Sequence, residues 1–152
     1  MAYFQTKNLG DELWSEEGDP KKGVWWQERL GSLRNPIKPA MLRQDKVVGL
    51  GNILGSEICF RAKINPCQRA STLNLNQWNR IAESAQSCIE EVLAEERSEE
   101  IGYVSQGNEL PVSFRVYGRK KTPCPVCQTP IESFVQQSRS TYWCPSCQDN
   151  NQ

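Results

Sequence analysis

A mainly α-helical chain that ends in a small zinc-bound β-hairpin is what this sequence predicts, and three observations carry the prediction. Two Cys-x-x-Cys pairs, Cys124/Cys127 and Cys144/Cys147, stand near the C-terminus with sixteen residues between them. Trp78, Ile81, Ala82, Ala85, Ile89, Val92 and Leu93 recur at intervals of three and four, giving a long helix one apolar face. Between two shorter apolar segments lies Gly49-Leu50-Gly51-Asn52, a glycine-rich corner that opens a helix.

The elements follow in order. Residues 1–35 read as a linker or arm, because Asp11, Glu12, Glu16, Glu17, Asp19 and Pro20 make an acidic run that contains a breaker. Trp14, Trp25 and Trp26 are expected to dock from this arm onto the next domain. A short helix is predicted over Pro36 to Gln44, capped by Asn35, with proline at the first helical position. Val47 to Asn52 forms an apolar turn, and a second helix runs from about Ile53 to Ala62 with Asn52 as its cap. Pro66 marks the connector between Lys63 and Ala70. The long helix spans about Leu75 to Glu96, and Asn74 with Gln77 forms a capping box at its start. Its last turns carry Glu90, Glu91, Glu95 and Glu96, unfavourable beside the negative end of the helix dipole, so this end is expected to fray or face solvent. Residues 98–112 read as irregular, Phe114 to Tyr117 as a strand, and Ile131 to Gln137 with Thr141 to Trp143 as hairpin strands. The division is thus an arm over 1–35, a helical domain over 36–112 and a zinc hairpin over 113–149.

Composition limits the chemistry. The 152 residues allow one ordinary domain or two small ones, and histidine is absent, which removes His-based acid–base catalysis and His metal ligands. No apolar run approaches the ~20 residues of a membrane span. No secretory signal is visible at the start. Together with thiolate metal chemistry this predicts a reducing, cytoplasmic location. Cys59, Cys67 and Cys88 read as small buried hydrophobes. The formal net charge of zero hides a pattern: residues 34–69 carry seven basic and two acidic side chains, whereas residues 70–100 carry two basic and seven acidic ones. Basic blocks from Arg34 to Arg69 and Arg115 to Arg139 flank the acidic helix, suggesting one polyanion-binding face with a solvated back.

The four cysteines have the spacing of a tetrahedral zinc site, in which each pair grips the metal from a tight turn. Two disulfides or a redox pair are the alternatives. Pro125 and Pro145 favour knuckle turns over the helix start that a redox pair opens. Four thiolates leave no position for water, so one structural Zn²⁺ folds the hairpin and does no chemistry. Recognition has two candidate places. At Gly49 to Asn52, glycine lets a partner approach the backbone closely, and the first helical N–H groups attract an anion. Alternatively, the two glycines only shape the corner. At Gln136 to Thr141, polar donors surround Arg139 at the hairpin tip, suited to a DNA phosphate or the minor groove, or else forming an ordinary polar turn. Tyr117-Gly118-Arg119-Lys120-Lys121 adds a second basic strip.

Three segments together resemble the formamidopyrimidine-DNA glycosylase / endonuclease VIII family of base-excision repair enzymes. They are Ile37 to Leu42 continuing through Val47 to Glu57, then Val116-Tyr117-Gly118-Arg119, then the finger through Gln148. The resemblance covers roughly residues 36 to 148 and implies a helix–two-turn–helix domain followed by a four-cysteine zinc finger. It implies that Asn52 contacts a phosphate, that Arg139 is the finger arginine, and that Lys38 contacts the backbone. Gly51, Tyr117 and Arg119 are expected beside them on DNA. Members of the family attack the damaged nucleotide with an N-terminal proline amine followed by glutamate, whereas this sequence starts Met1-Ala2-Tyr3. No catalytic residue is therefore assigned. The sequence predicts a damaged-DNA-binding portion of such a glycosylase/AP lyase, monomeric, nucleoid-associated through duplex DNA and without the N-terminal catalytic domain. Complementation of a separate catalytic N-terminal half, and a non-DNA zinc-ribbon module using the tryptophans, are the rival readings.

Overall fold

The computed structural model describes residues 18–47, 49–100 and 114–148, with the backbone alone over 95–100. The first helix, α1 (Gly23–Leu30), lies inside the stretch expected to be a linker. Trp25, Trp26 and Leu30 are all buried, and the Trp26 indole donates to Pro20 O at 2.7 Å. The tryptophans do dock, but through a helix: burying two indoles one residue apart outweighs the neighbouring acidic run. Trp14 lies outside the described residues.

Helix α2 (Ile37–Met41) is shorter than expected and has Pro36, not Asn35, at its cap, with no side-chain capping bond. The connector after α3 (Asn52–Ala62) does that work instead. Ile37 N donates to Gln68 O at 2.7 Å, Lys38 N to Pro66 O at 3.4 Å, and Ala70 N returns to Asn35 O at 2.9 Å. Between α2 and α3, Gln44 ties the turns together. Its amide nitrogen donates to Leu50 O at 2.9 Å and its oxygen accepts from Gly49 N at 3.0 Å. Gly49 has φ of 99°, a conformation that needs glycine. Helix α3 ends at Lys63, left-handed with φ of 59°, and Ile64 N bonds back to Cys59 O.

Helix α4 (Leu75–Glu100) is the support on which α1 and α3 both pack. Its start is the expected capping box: Asn74 N donates to Gln77 Oε1 and Gln77 N to Asn74 Oδ1, both at 2.9 Å. Trp78, Ile81, Ala82, Ala85, Cys88, Ile89 and Val92 are its buried side chains in the main core. The acidic end differs in part from expectation. Glu91 accepts from Arg61 at 2.8 Å and lies 3.7 Å from Arg115, so it faces a basic partner rather than open solvent. The helix continues through residues 98–100, where irregular chain was expected, and the rest of that stretch lies outside the described residues.

The finger contains strands β1 (Glu132–Gln136) and β2 (Arg139–Trp143), paired antiparallel from Glu132 opposite Trp143 to Gln136 opposite Arg139. Its two-residue turn places Gln137 and Ser138 at φ of 50° and 69°. That is the hairpin turn whose twist suits the strands, built without glycine. Phe114 to Tyr117, expected as a strand, is a turn. The N–H groups of Arg115, Val116 and Tyr117 donate to the buried Glu57 carboxylate at 2.8 to 2.9 Å, so none remains for a ladder.

Candidate nucleic-acid interface

The metal centre comes first because it holds the finger. The Sγ atoms of Cys124, Cys127, Cys144 and Cys147 all lie within 4.8 Å of one another. Cys124 and Cys147 are 3.8 Å apart and Cys127 and Cys144 3.4 Å, close to the roughly 3.8 Å edge of a tetrahedron with 2.3 Å zinc–sulfur bonds. Val126 N and Cys147 N each point at a cysteine sulfur at 3.3 Å, the N–H···S bonds of knuckle turns. Thr129 hydrogen bonding lowers the Cys127 thiol to about 6, while burial and the neighbouring sulfurs raise Cys147. A dication that displaces the protons removes that conflict. The donors fit zinc, and the finger is a structural zinc site.

The finger is attached to the helices through polar side chains. Gln148, fully buried, accepts from Cys144 N at 2.8 Å and donates to Ile64 O at 3.0 Å. Tyr142 N donates to Ser56 Oγ at 3.3 Å. The hairpin tip is held from below by Lys38, only 1% exposed. Its amine donates to Asn52 Oδ1, to Thr141 Oγ1 at 2.8 Å and to Ser140 O at 3.4 Å. Asn52 Nδ2 donates to Ser140 O at 3.0 Å, and Thr141 Oγ1 donates to Gln136 Oε1 at 2.9 Å. Residues roughly a hundred positions apart thus form one cluster at the start of α3.

Asn52 was expected to cap α3, yet α3 has no side-chain cap and its amide turns toward the hairpin. No side chain caps the α3 N-terminus, whose first N–H groups have no partner within the helix. Gly51, immediately before, has an ordinary φ of −110°, and a methyl added there would meet nothing within 4 Å. Among the described residues neither backbone nor packing requires glycine at 51, which leaves room for an approaching group. Lys38, expected to contact the DNA backbone, has its amine held by Asn52, Thr141 and Ser140. Burial holds that amine down to about 8, opposed by the Cys59 thiol and helped by Arg139 nearby. Arg139 itself is exposed at the head of β2.

The structure therefore joins Lys38, Asn52, Gly51 and Arg139. Tyr117 and Arg119 are held by other contacts. Tyr117 stacks edge-on against Tyr142 with ring centroids 4.8 Å apart, and Arg119 Nε donates to Phe114 O at 2.8 Å. Glu57 escaped the sequence reading as a structural residue. Its signal was a single carboxylate in an otherwise apolar run from Ile53 to Phe60. No described helix is long and apolar enough to cross a membrane.

Two family models match the sequence. The Formamidopyrimidine-DNA glycosylase H2TH domain matches residues 12–101, and the zinc finger found in FPG and IleRS matches residues 122–150. The formamidopyrimidine-DNA glycosylase of Herminiimonas arsenicoxydans is 35% identical over 170 residues, covering 97% of this chain and 62% of that protein. The MutM (Fpg) structure from Thermus thermophilus superposes with a TM-score of 0.70 at 27% identity, covering 87% of this chain and 52% of that one. Lactococcus lactis Fpg in complex with abasic-site DNA gives 0.68 at 27% identity, with 85% and 48% covered. The chain spans about half the length of the curated relatives it matches.

Proposed function

The chain belongs to the formamidopyrimidine-DNA glycosylase family, and from that premise we propose that its helix–two-turn–helix and zinc finger form a single clamp on the backbone of damaged duplex DNA. One observation carries the proposal. The start of α3 and the head of β2, far apart in sequence, meet through Asn52, Ser140 and Lys38 beside an open backbone at Gly51. In this reading the Asn52 amide and the Arg139 guanidinium donate to phosphate oxygens, and Gly51 lets the phosphate reach the free N–H groups of α3. Lys38 contributes positive charge from beneath and fixes the tip. Tyr117 and Arg119, with exposed Lys120 and Lys121, form an outer strip along the duplex.

Residues 18–100 act as the helical unit, α1 included, and residues 114–148 as the finger. One copy binds one site, and binding to duplex DNA places the protein at the nucleoid in this reading. Base removal, the activity in the relatives' name, is assigned to the part of their length that this chain does not span. Lys38 has the lowered amine pKa that suits attack on a sugar carbonyl. Its burial and its three hydrogen-bond partners argue for positioning instead.

Arg139→Ala is the test. A charge-assisted contact contributes about 1.5–3 kcal/mol, so affinity for an abasic-site duplex is expected to fall by about tenfold or more in fluorescence anisotropy. Unchanged affinity removes Arg139 from the interface and with it the proposed clamp.

A further inference from the structure

Beside the hairpin tip is a cavity of about 200 Å³ lined by Lys38, Arg43, Gln136, Gln137 and Arg139, with Pro39 and Leu42 as its apolar floor. Three cations and two amides surround it, and no carboxylate is among its lining residues. It shares Lys38 and Arg139 with the clamp but includes neither Gly51 nor Asn52, so it opens alongside that contact rather than upon it. We propose that this cavity is a second phosphate subsite of the same DNA clamp, with Arg43 as its principal ligand and Asp45 as an internal competitor for Arg43.

Arg43 lies at the cavity beside Asp45. Its Nε and Nη2 donate to the two carboxylate oxygens of Asp45 at 3.1 and 2.8 Å, a bidentate pair two residues apart. The two side chains are 39% and 62% exposed, so water and salt screen the attraction and the pair is weak. A phosphodiester offers the same two-oxygen geometry to a guanidinium, and inside the cavity it also meets the charges of Arg139 and Lys38. Asp45 offers Arg43 only itself. The neighbouring groups are already fixed: Gln136 is tied to Thr141, Pro66 and Cys67, which leaves exposed Gln137 as the adaptable amide. An anion between Lys38 and Arg139 relieves the repulsion of two like charges that line one cavity. Lys38 both lines the cavity and bonds Asn52, so the two subsites adjoin and one DNA strand is proposed to pass both.

This proposal rests on the DNA reading, and the experiment separates the two. Anisotropy titrations with an abasic-site duplex compare Arg43→Ala, Asp45→Asn, the double variant and Arg139→Ala at several salt concentrations. Arg43→Ala is expected to weaken binding about five- to tenfold and to reduce the salt slope by about one. Asp45→Asn is expected to strengthen binding severalfold in the parent chain and to have much less effect in the Arg43→Ala background. If Arg43→Ala changes neither affinity nor slope while Arg139→Ala weakens binding, the subsite is wrong and the clamp stands. An equal gain from Asp45→Asn in both backgrounds means that Asp45 acts as bulk charge, and the competitor role falls. If Arg139→Ala also has no effect, the clamp itself is refuted.

Discussion

Removing zinc from the finger is expected to abolish duplex binding while leaving most helical signal in place. The finger's own core is small, consisting of Val116, Cys124, Ile131 and Cys144 with Phe60 contributed by α3. A two-stranded hairpin of that size is marginal in water, so metal-binding free energy is what folds it. Without the metal, Gln148 loses its anchorage at Ile64, and the segment that presents Ser140 and Arg139 to Asn52 is released. Losing two backbone contacts of about 1.5–3 kcal/mol each weakens DNA affinity about 10²-fold or more. The helices have their own core around Trp26, Trp78, Ile58 and Ile81, all fully buried, into which Phe114 also packs. Far-ultraviolet circular dichroism and anisotropy after chelation read both effects together. Acidification has the same effect as chelation, because the ligands must be thiolates. A collapse of helical signal in step with binding would show that finger and helices fold as one cooperative unit.

Replacing Glu57 is expected to cause the largest loss of stability of any single change. Its carboxylate is fully buried, accepts three backbone N–H groups and lies 3.9 Å from Arg61. Glu57→Ala leaves those three donors without the acceptor that compensates their burial, while Arg61 keeps its pair with Glu91. Breaking such an arrangement costs about 3–5 kcal/mol. Gln is intermediate by geometry. Its oxygen can serve Val116 and Tyr117, which both bond Oε2, but its NH₂ then faces the Arg115 N–H. Urea unfolding followed by tryptophan fluorescence measures the order: parent, then Gln, then Ala. A loss below about 1 kcal/mol for Ala would mean that the turn at 115–117 finds other partners easily.

What the sequence made legible was local. Four cysteines at knuckle spacing predicted the zinc hairpin. The three-and-four periodicity with Asn74 and Gln77 predicted the long helix and its start, including the reciprocal capping bonds. Long-range partners were not legible. An Asn before an apolar run reads as a cap, and nothing local shows that Asn52 turns to Ser140 instead. Lys38 reads as a surface cation until the hairpin is folded over it. The strand expected at Phe114 to Tyr117 has apolar alternation, but Glu57, far upstream, takes its N–H groups. Residues 23–30 were obscured differently. Their two tryptophans follow an acidic, glycine- and proline-containing stretch, and only contact with Trp78 and Asn79 shows that Gly23 begins a packed helix.

The proposed clamp holds DNA by its phosphates. The direct measurement is the affinity of the zinc-loaded chain for an abasic-site duplex over a series of salt concentrations. With Arg43, Arg139 and Lys38 or Arg119 as the participating cations, log K is predicted to fall linearly with log salt, with a slope of about −3. Binding that does not change with salt, or no binding at low salt, would contradict the account.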